Sequence, residues 1–89
     1  MKFEWDKKKA ATNLEKHKVS FDEATHVFFD PNRVSEPDNR HDYGEERINT
    51  IGITGSLLIV TVTHTDRNGT TRIISARQAN HKERKKYHG

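Results

Sequence analysis

Five side chains in the last third of the chain have the chemistry to act on a phosphodiester: His64, Arg67, Arg72, Arg77 and Arg84. Arginine presents a planar fork of donors that matches phosphate oxygens. Histidine exchanges protons near neutrality because its reference pKa is about 6.5. RNA carries its own nucleophile, the 2′-hydroxyl. Its cleavage therefore asks a protein only for a base, for cations facing the charge that builds on phosphorus, and for an acid at the leaving oxygen. Glutamate or lysine serves the proton steps where its surroundings shift it. Arg72 and Arg77 fall inside a strand pattern, where simple solvation explains an arginine poorly. Arg67 in a turn and Arg84 on a helix fit a solvated role equally well.

Other chemistries fit less well. The chain has six His and no Cys. No two His stand three or four apart, the offset that puts both on one helical turn, so no metal site is expected. His81 and His88 are separated by about 10 Å along a helix, at ~1.5 Å per residue. Ser20, Ser35, Ser56 and Ser75 lack a nucleophile-elbow context. There is no glycine-rich phosphate loop. No cofactor is expected.

Charge is distributed unevenly. The net charge of +3 combines a neutral stretch over 1–30, a balance of −2 over 31–50 and of +5 over 51–89. A cationic C-terminal part points to a polyanion, most often nucleic acid, or to an acidic protein. Apolar residues make up 30% and charged residues 33% of 89 residues, enough for one small core, so a single domain over 1–89 is expected. The longest run without charged residues, 48–65, is interrupted by Asn, Thr, Gly, Ser and His and does not read as a membrane span. The charged N-terminus has no signal-peptide core, and the lack of Cys suits a reducing cytoplasm.

The elements that must position these residues follow from periodicity and punctuation. Lys2–Trp5 alternates as a short strand. Asp6 is an N-cap, with Trp5 and Ala10 at hydrophobic-staple spacing, and a helix over 7–17 should bury Ala10, Leu14 and His17. Ser20 and Glu23 form a capping box opening a second helix, with Phe21, Ala24, Val27 and Phe28 inward and its end before Pro31. Residues 31–44 read as a long polar loop. Residues 47–53, 57–65 and 70–77 alternate with period two and are rich in Ile, Val and Thr, as antiparallel strands. They are joined at 54–56 and at 66–69, where Asn68-Gly69 signals a hairpin. Asn80 and Glu83 cap a final basic helix. The fold class is α+β: short strand, two helices, three-stranded antiparallel meander, C-terminal helix, with helices on one sheet face and the other face open.

Register stays undecided. A two- or four-residue hairpin loop pairs even with odd positions; a three-residue loop pairs even with even and gives the cleaner apolar face, but needs a bulge. Arg72 and Arg77 are an odd number apart, so unbroken pleating sends them to opposite faces.

The motifs Phe3-Glu4-Trp5-Asp6, Lys16-His17-x-Val19-Ser20-Phe21-Asp22-Glu23-Ala24, Glu45-Glu46-Arg47, His64-Thr65-x-Arg67, Arg72-Ile-Ile-Ser-Ala-Arg77 and Glu83-Arg84-x-x-Tyr87 occur in this order. With them the chain resembles, from end to end, the BrnT family of type II toxin–antitoxin systems. The family pattern has Gly where this chain has Lys18, a change confined to the turn between the helices. The resemblance implies a RelE-like fold and a ribonuclease that halts growth by cutting RNA. It also implies a BrnA-like DNA-binding antitoxin through which the complex reaches operator DNA. The residues it singles out are His64, Arg72, Arg77, Arg47 and Glu46 for catalysis, and Lys16, His17, Arg67, Arg84 and Tyr87 for RNA binding. Arg72 and Arg77 are the best phosphate contacts and His64 the best proton-transfer group, whereas Glu83 reads first as a helix cap. The competing expectation is a catalytically inactive RNA- or partner-binding module on the same fold, or a purely structural subunit.

Overall fold

Asp6 starts the first helix, two residues after the first strand ends at Glu4, in the computed structural model, which describes residues 1–38 and 45–89. Its carboxylate accepts from the backbone amides of Lys8 at 2.8 Å and Lys9 at 3.1 Å, and these bonds hold its pKa below the usual carboxylate value. The helix α1 spans Lys7–His17, as the cap predicts. It ends on Lys18, whose φ of 61° is left-handed and whose amide donates to the Leu14 carbonyl.

The inward face of α1 differs from the expected one. Leu14 is 48% exposed, and the buried residue is Asn13. Asn13 acts as a stand-in strand. Its Nδ2 donates to the carbonyls of Ala76 (2.8 Å) and Val19 (3.0 Å), and its Oδ1 accepts from the Ala76 amide at 3.1 Å. A sheet edge buried under a helix must have its backbone groups paired, and one amide side chain supplies both a donor and an acceptor.

Helix α2, Phe21–Ala24, tightens into a 3-10 turn over Thr25–Phe29. Phe21, Ala24, Val27 and Phe28 are buried as their spacing predicts. The Ser20–Glu23 box is half formed: Ser20 Oγ accepts from the Glu23 amide, while Glu23 Oε1 instead takes the Ser56 hydroxyl at 2.7 Å.

The sheet has five strands, one more than the short first strand and the three-stranded meander together supply. They are β1 Lys2–Glu4, β2 Val34–Pro37, β3 Ile48–Ile53, β4 Ile59–Arg67 and β5 Thr70–Gln78, in the order β1-β5-β4-β3-β2. β1 runs parallel to β5; the other pairs are antiparallel. β2 lies within the stretch expected to be loop. Its four residues pair with Ile48–Ile51 as an edge strand, and its Pro37 is the kind of residue an edge tolerates. The rest of that expected loop, 39–44, lies outside the described residues.

The hairpin between β4 and β5 turns on two residues, Asn68 (φ 49°) and Gly69 (φ 81°), the paired left-handed geometry of a type I′ turn. Near the turn Thr65 pairs with Arg72 and His64 with Ile73; beyond it Thr63 pairs with Ser75 and Val62 with Ala76. Ile74 is thus an extra residue in β5. Even-with-odd pairing thus holds near the turn and even-with-even pairing beyond the bulge, but the expected even-with-even partners, His64 with Arg72 and Val60 with Ala76, are not the ones formed.

The core lies between α1, α2 and the 3-10 turn on one side and Val60, Val62, Ile73 and Ala76 on the other. The second face is less open than expected. Helix α3, His81–His88, lies across it, and Ile51 and Thr61 on that side are buried. The Tyr87 hydroxyl donates to Asp30 Oδ2 at 2.6 Å and Lys86 pairs with Glu36 at 2.7 Å, tying α3 to the sheet's far side.

Candidate functional site

Because β5 carries an extra residue, its pleat changes phase between Ile73 and Ser75. Thr71, Ile73 and Ala76 face the core, while Arg72, Ser75 and Arg77 share the second face with the threonine row Thr61, Thr63 and Thr65. The bulge thus removes the parity obstacle to a site using both arginines. They do not converge. Their partners Thr65 and Thr61 are four residues apart on β4, about 13 Å at ~3.3 Å per residue. Arg72 lies 3.8 Å from Glu4 across β1.

Arg77 is held by Glu83 through two bonds, Nη1 to Oε1 at 2.6 Å and Nη2 to Oε2 at 2.9 Å. The same carboxylate closes the α3 capping box: Asn80 N donates to Glu83 Oε1, and Glu83 N donates to Asn80 Oδ1, each at 2.9 Å. Burial pushes the Glu83 carboxyl up, but the Arg77 fork and the Asn80 amide outweigh it and hold the pKa below the usual value. Glu83 is therefore ionised at neutral pH. Beside the pair lies a cleft of about 510 Å³ lined by Glu36, Pro37, Asp38, Asn49, Arg77, Asn80 and Glu83. Thr63 Oγ1 donates to Oδ1 of the lining Asn49 at 2.7 Å.

His64, the expected proton-transfer group, is placed on the other face, away from the Arg77 cleft. It is 3% exposed, with the Phe28 ring edge-on at a centroid distance of 4.8 Å. Nδ1 lies 3.0 Å from Asp66 Oδ1, and Nε2 lies 2.8 Å from Thr50 Oγ1, which in turn meets Ser35 Oγ at 2.8 Å. A carboxylate only accepts, so Nδ1 carries the proton and Nε2 accepts from Thr50. Burial depresses the imidazole pKa, and Asp66 offsets part of the effect. The histidine is a satisfied interior group between strands.

The remaining sequence candidates are dispersed. Arg47 precedes β3, and its carbonyl accepts from the Asp38 amide. Glu46 is exposed, and its carbonyl takes the Thr65 hydroxyl. Arg67, at the hairpin tip, pairs with Glu45 at 2.5 Å. Arg84 is exposed on α3. The Tyr87 hydroxyl is committed to Asp30, which raises its own pKa. Asp30 is buried; burial pushes its carboxyl up, but Tyr87 and the amides of Asn32 and Ile53 prevail and lower it. Lys16 and His17 lie on α1, away from the Arg77 cleft.

Sequence reasoning placed Glu83 in a family motif but read it first as a helix cap. The signal was the glutamate three residues after Asn80; no helical or strand spacing links it to Arg77. Among the described residues, no group of three His, Cys, Asp or Glu gathers as metal ligands, and no helix is long and apolar enough to cross a membrane.

A small α+β domain with an arginine–glutamate pair on one sheet face is a reasonable frame for RNA chemistry, and the comparisons specify the class. The family model described as the ribonuclease toxin BrnT of type II toxin–antitoxin systems matches residues 5–83. The chain belongs to that family, whose substrate is RNA and whose partner is a cognate antitoxin. It is also similar to the crystal structure of the Brucella abortus ribonuclease toxin, BrnT, with a TM-score of 0.72 and 28% identity over 90% of this chain and 97% of that one. No curated protein sequence matches the chain.

Proposed function

We propose that the chain cuts RNA by attack of the 2′-hydroxyl on the adjacent phosphorus, without a metal ion, and thereby stops translation and growth. The observation that carries this reading is the Arg77–Glu83 contact in the wall of the cleft. An ionised carboxylate and a guanidinium fork side by side are a base and a phosphate clamp. In the reaction the fork turns to a non-bridging phosphate oxygen and Glu83 accepts the 2′-hydroxyl proton. The O2′–P bond forms as the P–O5′ bond breaks, and the leaving oxygen takes a proton from solvent. The products are a 2′,3′-cyclic phosphate and a 5′-hydroxyl. Arg72 and Arg47 then hold flanking phosphates rather than the scissile one, and Glu46 is the alternative carboxylate on that side. Arg84, with Lys16 and His17, adds affinity, while Arg67 and Tyr87 contribute through the elements they brace.

The test is cleavage of RNA by purified protein in chelator, with both new ends mapped. Cyclic or 3′-phosphate ends are expected, and Arg77→Ala should slow cleavage by about 10²-fold, the usual scale for losing one charge-stabilising group. Growth arrest on induced expression should be relieved by the same change. A 3′-hydroxyl product, or cleavage abolished by chelator, overturns the mechanism.

One observation favours a second reading, an inactive RNA-binding module: Arg67, Arg72 and Arg77 each already face a carboxylate. Salt-sensitive RNA binding without cleavage or toxicity would select it. In either case a BrnA-like antitoxin would inhibit by covering the arginine-bearing face, and operator DNA would be reached only through that antitoxin. RNA binding unchanged by the antitoxin would exclude the covering.

A further inference from the structure

The cleft around Arg77 is a poor place to gather a polyanion. Glu36, Asp38 and Glu83 line it beside one arginine, and Arg77 and Lys86 are already spent on Glu83 and Glu36. The attraction must come from elsewhere. A second groove, of about 330 Å³, runs between α1 and the outer edge of β5. Its charged groups are Lys8, Lys9, Lys16 and His17, with no carboxylate among the lining residues. Among the described residues none of the three lysines makes an ion pair. Two of them crowd the first turn of α1, which holds no acidic residue. Cations there oppose the helix dipole, and the capping Asp6 carboxylate, attracted to Lys9, offsets only part of that. Departures of this kind gather at functional sites. The groove and the cleft share no lining residue, but Ser75, which lines the groove, stands two residues before Arg77 on the same strand.

We propose that this groove is a phosphate track for single-stranded RNA, from which the strand passes around the edge of β5 at Ser75 to reach the Arg77 cleft. It rests on the nuclease reading for its direction but not for its existence. Lys8 and Lys16 lie two turns apart on one face of α1, about 12 Å at ~1.5 Å per residue. That separation lets them hold phosphates of non-adjacent nucleotides while the strand's other end enters the cleft. The substrate is thus read as a run of several nucleotides rather than as one dinucleotide step.

The test uses 2′-O-methyl oligonucleotides, which lack the nucleophile and stay intact. A nine-nucleotide strand can occupy groove and cleft, whereas a trinucleotide cannot span both. In the K8Q/K9Q/K16Q variant, affinity for the nine-mer should fall at least tenfold. The slope of log K against log salt should become shallower by about 2, three phosphate contacts at roughly 0.7 each. Trinucleotide affinity should not change. The matching K8R/K9R/K16R variant should bind the nine-mer as the parent does. The lysines are exposed, and the glutamine variant should melt no lower than the parent. Equal nine-mer affinity and slope in parent and glutamine variant would overturn the track. So would a glutamine variant that loses antitoxin binding but keeps the nine-mer. Failure of the nuclease reading shows separately, as absent cleavage of ordinary RNA with the length and salt effects intact.

Discussion

A single histidine shows how residue type and position part company. His64 has the right chemistry for proton transfer and sits in a strand, but its place in the pleat decides its role. The even positions of β4 face the core, and Val60, Val62 and His64 follow one another there. Sequence alternation alone allowed either face, because Thr neighbours in β4 are compatible with both. The consequence is thermodynamic. Burial lowers the imidazole pKa in the folded state, so the unfolded chain binds the proton more readily. Stability from this group is complete above about pH 6.5. It declines as pH falls below that value and through the folded pKa. Chemical denaturation from pH 7.5 down to 5 should show this loss, and His64→Gln should flatten it. The lowered carboxyls of Asp30 and Glu83 act in a separate, more acidic window. Their contribution is present above about pH 4 and is lost below it. An unflattened slope in the variant would place the acid sensitivity elsewhere.

Lys18 is the complementary case, a residue whose type is wrong for its backbone. Its left-handed φ of 61° closes α1 where glycine is usual. The family resemblance already marked this position by its missing glycine. An L-residue pays about 1–2 kcal/mol there, and glycine's extra freedom in the unfolded chain returns about 0.4–1 of it. Lys18→Gly should therefore stabilise by about 0.5–1 kcal/mol, read as a rise of a few degrees in Tm. A lower Tm would mean that the lysine makes a compensating contact.

At the scale of elements, the sequence was most legible where local chemistry decides. Asp6 and Asn80 as caps, the bounds of α1, and the Asn68-Gly69 turn follow from side chains that bond their own neighbours. It was least legible where partners are distant. Val34–Pro37 has no alternation long enough to mark a strand and is one only because β3 offers an edge. The inward role of Asn13 depends on the Ala76 backbone 63 residues away. Gly52 belongs to the same class: a Cβ there would meet Val27 Cγ1 at 2.8 Å and the Val27 carbonyl at 3.1 Å. The 3-10 turn rests directly on β3, so Gly52→Ala should cost about 1–3 kcal/mol as an overpacked contact. Unchanged denaturant midpoints would show that the turn can lift away. The tie on the other face is Tyr87, and Tyr87→Phe removes one donor from the buried Asp30 carboxylate. The expected loss is about 1.5–3 kcal/mol, the scale for a hydrogen bond to a charged group. Amide exchange should quicken in α3 before β4. Uniform protection throughout would make the hydroxyl dispensable for docking the helix.

Across the whole molecule the sheet divides two tasks. One face holds the helices and the aromatic core; the other holds arginines, threonines and α3, which is both a cover and the source of Glu83. The candidate site was half legible: Arg77 was found from its strand context, while the carboxylate that meets it comes from an element whose docking no spacing foretells. Joining Arg77 to Glu83 also couples fold and chemistry, since one carboxylate caps a helix, restrains the arginine and is the candidate base. Glu83→Gln separates these tasks. Glutamine still serves a capping box, so α3 should stay docked and Tm should change little. The lost charge frees the Arg77 fork, so an uncleavable 2′-O-methyl strand should bind several-fold more tightly. Cleavage should nevertheless fall by about 10²–10⁴-fold, the usual contribution of a general base. Tighter binding with undiminished cleavage would leave Glu83 as a restraint on Arg77 only, and the base would then be sought at Glu46.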